Sequence, residues 1–150
     1  MTAPPTLRQL LVGERQAVLA TISARRAGWP FASVAPYAID RHGQPLLLLS
    51  DLAEHTRNAR ADPRASLLVQ ESVAEDPQAG ARITLLGTLE PIHDEEARSA
   101  YVARHTQAAE YLMLGDFGMW RLNVSEARYV NGFGDMGWLE GKTLRAALAG

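Results

Sequence analysis

The chain has 150 residues, 47% of them hydrophobic and 21% charged; that is the balance of a packed globular protein and excludes collagen, coiled coil and disorder. Its 15 Lys and Arg against 17 Asp and Glu leave a net charge of −2, without the basic stripe that duplex binding needs. The absence of Cys removes disulfides, thiolate metal ligands and cysteine nucleophiles.

Lys142 is the only lysine, so the positive charge is almost wholly arginine, a residue that stays charged and forks well onto phosphate. This favours a small anionic ligand over nucleic acid. No run approaches the roughly 18 apolar residues of a membrane span, and Met1-Thr2-Ala3-Pro4-Pro5-Thr6 lacks the regions of a secretory signal. The expectation is a cytoplasmic protein of one domain over residues 1–150, with neither a nucleic-acid nor a membrane partner.

In chain order, residues 6–12 predict a short helix with Leu7, Leu10 and Leu11 on one face, ended by Gly13. Residues 16–24, rich in β-branched and small side chains, predict a strand, 25–30 a turn, and 31–39 a second strand. Asp40-Arg41-His42-Gly43 has hairpin-turn chemistry, and residues 45–49 predict a strand apolar on both faces. A helix follows, capped by Ser50 or Asp51, with Asp51 and Glu54 at capping-box spacing, and Asp62-Pro63 ends it. Residues 65–70 predict a strand, 71–80 an acidic loop, and 82–92 a long strand. Residues 94–105 predict a helix with Asp94 and Arg98 four apart and Ala97, Ala100 and Tyr101 facing inward; 107–114 add a turn or two. Residues 117–124 and 127–133 predict a final pair of strands, and 139–148 a tail helix.

About seven strands in hairpin order predict an antiparallel sheet closed into a small barrel, which removes exposed edges. Several strands are apolar on both faces, more than one small interior absorbs. The surplus points to a second buried surface, most simply a homodimer interface.

Gly132-Phe133-Gly134-Asp135-Met136-Gly137 is a literal G-x-G-x-x-G, but only residues 138–150 follow it, too few for the helix, second strand and acid of a dinucleotide fold. It reads as a glycine-rich exit from the last strand. The segment from Ser50 to Asn58 joins a buried strand to a helix, and Ser50, His55, Thr56, Arg57 and Asn58 crowd polar groups there. A helix N-terminus with such neighbours is an anion site; equally, Ser50 or Asp51 only caps the helix. His42, His55, His93 and His105 show no spacing for a helical metal site, and no nucleophile elbow is present, so no metal ligand or catalytic residue is assigned. Arg82 reaches the barrel rim or pairs with Glu71, Glu75 and Asp76. Trp29, Trp120 and Trp138 are core, interface or ligand-stacking residues, with core or interface the default.

The order of Gly28-Trp29-Pro30, F-A-S-V-A-P-Y (31–37), L-L-L-L-S-D-L-A-E-H-T-R-N (46–58), D-P-R-A-S-L-L (62–68) and A-R-I-T-L-L-G (81–87) resembles the pyridoxamine 5′-phosphate oxidase-like FMN-binding split barrels. The ending A-R-Y-V-N-G-F-G (127–134) is most similar to their HugZ-type haem-utilisation branch. The resemblance spans roughly residues 6–139. It implies a mainly β, six-stranded antiparallel split β-barrel with a few short helices, a homodimer with FMN at the subunit interface. The backbone at Ser33, Val34 and Ala35 then runs along the flavin ring, while Ser50, His55, Thr56 and Asn58 meet the phosphate and ribityl chain. Arg82 falls at a flavin-contacting position, and Trp120 neighbours the ring from across the dimer.

The implied function is an FMN-dependent oxidoreductase acting on a small molecule, with the flavin carrying the redox chemistry. The ending Gly137-Trp138-Leu139-Glu140-Gly141-Lys142-Thr143-Leu144-Arg145 lacks the His of the vitamin-synthesis oxidases, which argues against pyridoxine phosphate as substrate. Two alternatives stand beside this reading. One is a haem-binding or haem-degrading protein, with His93 and His105 as nominal ligands; the other is a dimeric binding module that has lost flavin.

Overall fold

The computed structural model describes residues 3–72 and 75–149; residues 73–74 of the predicted acidic loop lie outside the described residues. Its elements are α1 (Pro5–Gly13), β1 (Gln16–Ile22), β2 (Pro30–Pro36), β3 (Ala38–Ile39), β4 (Pro45–Ser50), α2 (Glu54–Ala61), β5 (Arg64–Gln70), β6 (Ala81–Ile92), α3 (Glu95–Arg104), α4 (Ala108–Leu112), β7 (Phe117–Asn131), β8 (Met136–Glu140) and α5 (Gly141–Leu148). The strands pair antiparallel in the order β2-β1-β5-β6-β7-β4-β3, with β8 on β7. Because β2 also approaches β4, the sheet curls into an antiparallel half-barrel flanked by short helices. This is the split-barrel architecture that the sequence implies.

Eight strands replace the expected six because two short ones are added. Residues 31–39 divide at Tyr37, and β3 pairs β4 rather than β1. Residues 136–140 form β8, so the tail helix starts at Gly141 and not at 139. Residues 117–133 were expected as two strands and are one: β7 pairs β4 over 117–121 and β8 over 126–130. The polar Ser125-Glu126 that reads as a break is a bulge, where the register with β6 skips Ser125 opposite Leu86/Gly87. A Cβ on Gly87 would lie 2.1 Å from the Asn123 carbonyl oxygen, so glycine lets the two backbones meet there. The glycine motif is the β7–β8 turn. Gly132 and Gly134 have φ of 96° and 82°, and the Asn131 N–H donates to the Asp135 carbonyl at 2.8 Å.

The barrel interior is filled by Leu19, Leu47, Leu67, Ile83, Leu85 and Leu122, all wholly buried. Leu7 and Leu11 of α1 and Leu144 and Leu148 of α5 join the same cluster. On β4 the pleat sends Leu47 and Leu49 into this interior and Leu46 and Leu48 to the opposite face. There they meet Ala97 and Tyr101 of α3, Ala108 of α4, and Met119. The outer apolar face of β4 is therefore covered by the chain's own helices. Among the described residues no helix is long and apolar enough to cross a membrane.

Candidate functional site

The predicted cofactor residues of α2 and β2 come together and then separate by burial. β2 alternates, with Phe31, Ser33 and Ala35 turned toward the protein and Val34 65% exposed on the other face. Ser33 Oγ lies 3.1 Å from His55 Nδ1, so the edge strand is tied to the first turn of α2. Burial lowers the His55 pKa from its ordinary value, which favours the neutral imidazole at pH 7. Asn58 is wholly buried: its Oδ1 accepts from the Ala24 N–H at 3.0 Å and its Nδ2 donates to Thr21 Oγ1 at 3.1 Å. Its amide pins α2 to β1. Thr56 is equally buried, and its Oγ1 has no partner among the described residues.

The expected capping box is absent. α2 begins at Glu54 with Ala53 at its cap and no side-chain cap bond, so Asp51 stands outside the first turn. Asp51 instead pairs with Arg60 at 2.6 Å, and Ser50 Oγ accepts from the Leu52 N–H at 3.2 Å. Arg82 does not pair with the acids named from sequence. Its guanidinium donates to the carbonyls of Pro77, Gln78 and Gly80 and fastens its own loop. His105 is likewise committed, its Nε2 being 2.7 Å from the Tyr37 carbonyl oxygen. Trp120 is buried in the barrel core, whereas Trp29 and Trp138 are half exposed and lie under Arg26 and Arg128.

A second group assembles where β7 starts, between the end of α2 and the start of α3. A cleft of about 420 Å³ has Ile92, Phe117, Met119 and Trp120 as apolar walls. Arg60, His93 and Arg98 also line it, Arg60 standing 5.9 Å from the Trp120 ring centre. The carboxylates Asp51, Asp94 and Glu95 line it as well. Asp51 holds Arg60, and Asp94 caps α3 through the Glu96 and Ala97 N–H groups while lying 3.5 Å from Arg121. Glu95 occupies the first turn of α3, where the helix dipole favours a negative charge. The predicted Asp94–Arg98 pair does not form, which leaves the Arg98 guanidinium without a partner among the described residues. Gly118 also lines this cleft, and a Cβ built on it meets nothing within 4 Å.

Sequence reasoning brought Trp120 and His93 forward but missed Arg60, Arg98 and Gly118. The legible signal was Asp94 followed by Glu95-Glu96, an N-cap with an acidic first turn. Reading Asp94 as a cap would have released Arg98. Among the described residues no group of three or more His, Asp or Glu could hold a bare metal ion.

The family model described as "CREG, beta-barrel" matches residues 1–144. The chain is 37% identical over 131 residues to the "Non-canonical heme oxygenase HOZ, chloroplastic" of Arabidopsis thaliana, covering 84% of this chain and 39% of that protein. It is 27% identical over 150 residues to "Heme oxygenase HutZ" of Vibrio cholerae, covering 93% of this chain and 82% of that one. The solved heme binding protein from Mycobacterium smegmatis superposes with a TM-score of 0.85 at 34% identity, over 97% of this chain and 62% of that chain. The chain thus spans well under half of the Arabidopsis relative. These relatives carry haem names, which overturns the reading of this chain as an FMN-dependent oxidoreductase. The resemblance to the haem-utilisation branch of the split barrels holds, and the chain belongs to the CREG β-barrel family.

Proposed function

We propose that this chain binds haem in the cleft beside Trp120 and serves haem breakdown of the kind its relatives' names describe, with haem as the substrate. The observation that carries this reading is the donor set of that cleft. One space of about 420 Å³ combines apolar side chains with an imidazole, His93, and an uncommitted guanidinium, Arg98, beside the carboxylates Asp51, Asp94 and Glu95. These are the groups a porphyrin calls for: apolar surface for the macrocycle, a nitrogen for the iron and cations for carboxylates. The porphyrin already surrounds its iron with four nitrogens, so one protein ligand suffices and no multi-residue metal site is needed.

Each residue has a physical task in this reading. Phe117, Met119 and Trp120 keep water from the ring faces, and Arg98 orients a carboxylate at the cleft's edge. Arg60, steadied by Asp51 at 2.6 Å, closes the side nearest α2. Haem, when bound, supplies the redox-active iron, and the protein supplies position and polarity. His55 is not among the lining residues of this cleft, and the Ser33–His55 contact serves to hold β2 against α2.

Hemin titrated into the purified chain should give a saturable Soret band that travels with the protein through gel filtration. A spectrum equal to that of free hemin, with the pigment lost on the column, would overturn the proposal.

A further inference from the structure

We propose that the outer face of the sheet, from β2 across to β8, is where a second copy of this chain docks. The strand registers lay that face out. One row across it runs Val34, Val18, Leu68, Thr84, Arg128 and Trp138, each paired with the next on the neighbouring strand. The adjoining row passes through Ala20, Ser66, Leu86 and Glu126. On the other face of the same strands Leu19, Leu67, Leu85 and Ala127 are wholly buried in the barrel.

An antiparallel sheet with water on its outer side alternates apolar-in and polar-out. Here Val18, Ala20, Leu68 and Leu86 stand half-buried at outer positions, and Val34 is exposed. Val18, Val34, Leu68 and Leu86 belong to neither buried cluster. The helices are spent elsewhere. Leu11 of α1, Ala59 of α2 and Leu144 of α5 join the barrel interior, while α3 and α4 cover β4. Among the described residues no helix is left for this face, in contrast to the outer face of β4.

Its extent and its charges identify the occupant. Six strands spaced about 4.8 Å apart span about 24 Å, and a strand as long as β5 runs about 20 Å. The flat footprint of about 500 Å², raised by side-chain relief, is on the scale of the roughly 800 Å² that each partner gives a stable complex. Arg128 and Glu126, two positions apart on β7, put both signs at one end of an otherwise apolar surface. A copy related by a two-fold axis meets such a face with its own complement. A partner of one charge sign would match one of the two and oppose the other. A lipid surface calls for a cationic rim, whereas Glu126 and Glu140 stand beside Arg128.

Light scattering during gel filtration, over a dilution series, reads the mass of the wild-type chain, Val34→Glu, Leu68→Glu and Met113→Glu. Far-ultraviolet circular dichroism shows which variants are folded, and no pigment is needed. The wild type should have the mass of two chains, against 16.4 kDa for one. Val34→Glu and Leu68→Glu should raise the dimer dissociation constant at least ~100-fold, since each buries two unpaired carboxylates. Met113, 85% exposed after α4, lies outside the face, and Met113→Glu should stay dimeric. Val34 is 65% exposed, so its variant keeps the fold and decides the matter even where Leu68→Glu does not fold.

A dimer that survives Val34→Glu undiminished would overturn the proposal by placing the contact elsewhere. Dissociation confined to a folded Met113→Glu would move the contact to α4 and reject the sheet face. A single-chain mass for the wild type at every concentration would also overturn it. Flotation of that chain with phosphatidylcholine–phosphatidylglycerol vesicles, lost in Val34→Glu, would then give the face to a membrane instead.

Discussion

Asn58 and His55 stand three positions apart on α2, yet one is sealed inside and the other half-buried against β2. Asn58→Ala would leave the Ala24 N–H and Thr21 hydroxyl short of partners. Its cost should be about 1–3 kcal/mol, read from urea unfolding at constant slope. His55 predicts a pH dependence. Its folded pKa lies below the ordinary value near 6.5 because burial penalises the charged form. Between the two values the unfolded chain holds more protons, so stability rises with pH there. The His55 contribution is full above about pH 6.5 and is lost as pH falls through the lower folded value. The stability profile of His55→Gln should be flatter than wild type across that interval; an identical slope would contradict the assignment.

The sequence revealed this polar cluster but not its division into inward and outward groups. The division depends on where the helix starts, and each residue of offset turns a side chain by about 100°. The capping-box spacing of Asp51 and Glu54 pointed to a helix start near Asp51, whereas α2 starts at Glu54. That offset sends Thr56 and Asn58 inside. The same kind of local choice governs Asp94, whose spacing to Arg98 fits an ion pair and whose position fits a cap. The cap prevails because its carboxylate meets two backbone N–H groups at 2.9 and 3.3 Å.

At the level of elements, α3 is held to the outer face of β4 by Tyr101, which is 2% exposed, beside Leu46 and Leu48. Burial raises the Tyr101 pKa to about 12, so its phenol is neutral at any working pH. Tyr101→Ala should cost about 3–5 kcal/mol through lost packing and the cavity left behind, measured by thermal or denaturant unfolding. An intact stability would mean that α3 is not part of the cooperative core. The β6–β7 bulge predicts a second effect. Gly87→Ala would drive a methyl group into the Asn123 carbonyl, and backbone cannot yield there as a flexible side chain would. It should lower the melting temperature by several degrees.

Strands and helices with a clear period were legible. The two-faced burial of β4 was legible as burial, but not that α3 and α4 cover its outer face. Apolar residues on both faces say that a strand is covered and not by what. The cover, α3, shows its inward stripe of Ala97, Ala100 and Tyr101 in sequence, but pairing that stripe with Leu46 and Leu48 is a long-range matter. β7 was split for a similar reason: Ser125-Glu126 has the polarity of a turn, and only its position opposite Gly87 makes it a bulge.

For the whole molecule, the curl of the sheet and the placement of α2 and α3 on either side of β7 create the cleft that the haem reading requires. Arg60 lies far in sequence from His93 and Arg98, which stand on either side of the Asp94 cap. Gly118 gives direct access to the claim. It lines the cleft, and a Cβ built on it meets nothing within 4 Å.

The most direct measurement is therefore the hemin dissociation constant of Gly118→Trp beside that of the wild-type chain, with unfolding curves showing that both are folded. With haem beside Trp120, the added indole occupies the cleft and weakens hemin binding by at least ~10-fold, or about 1.4 kcal/mol, at unchanged stability. Undiminished hemin affinity in a folded Gly118→Trp protein would show that haem does not bind beside Trp120 and would contradict the proposed site.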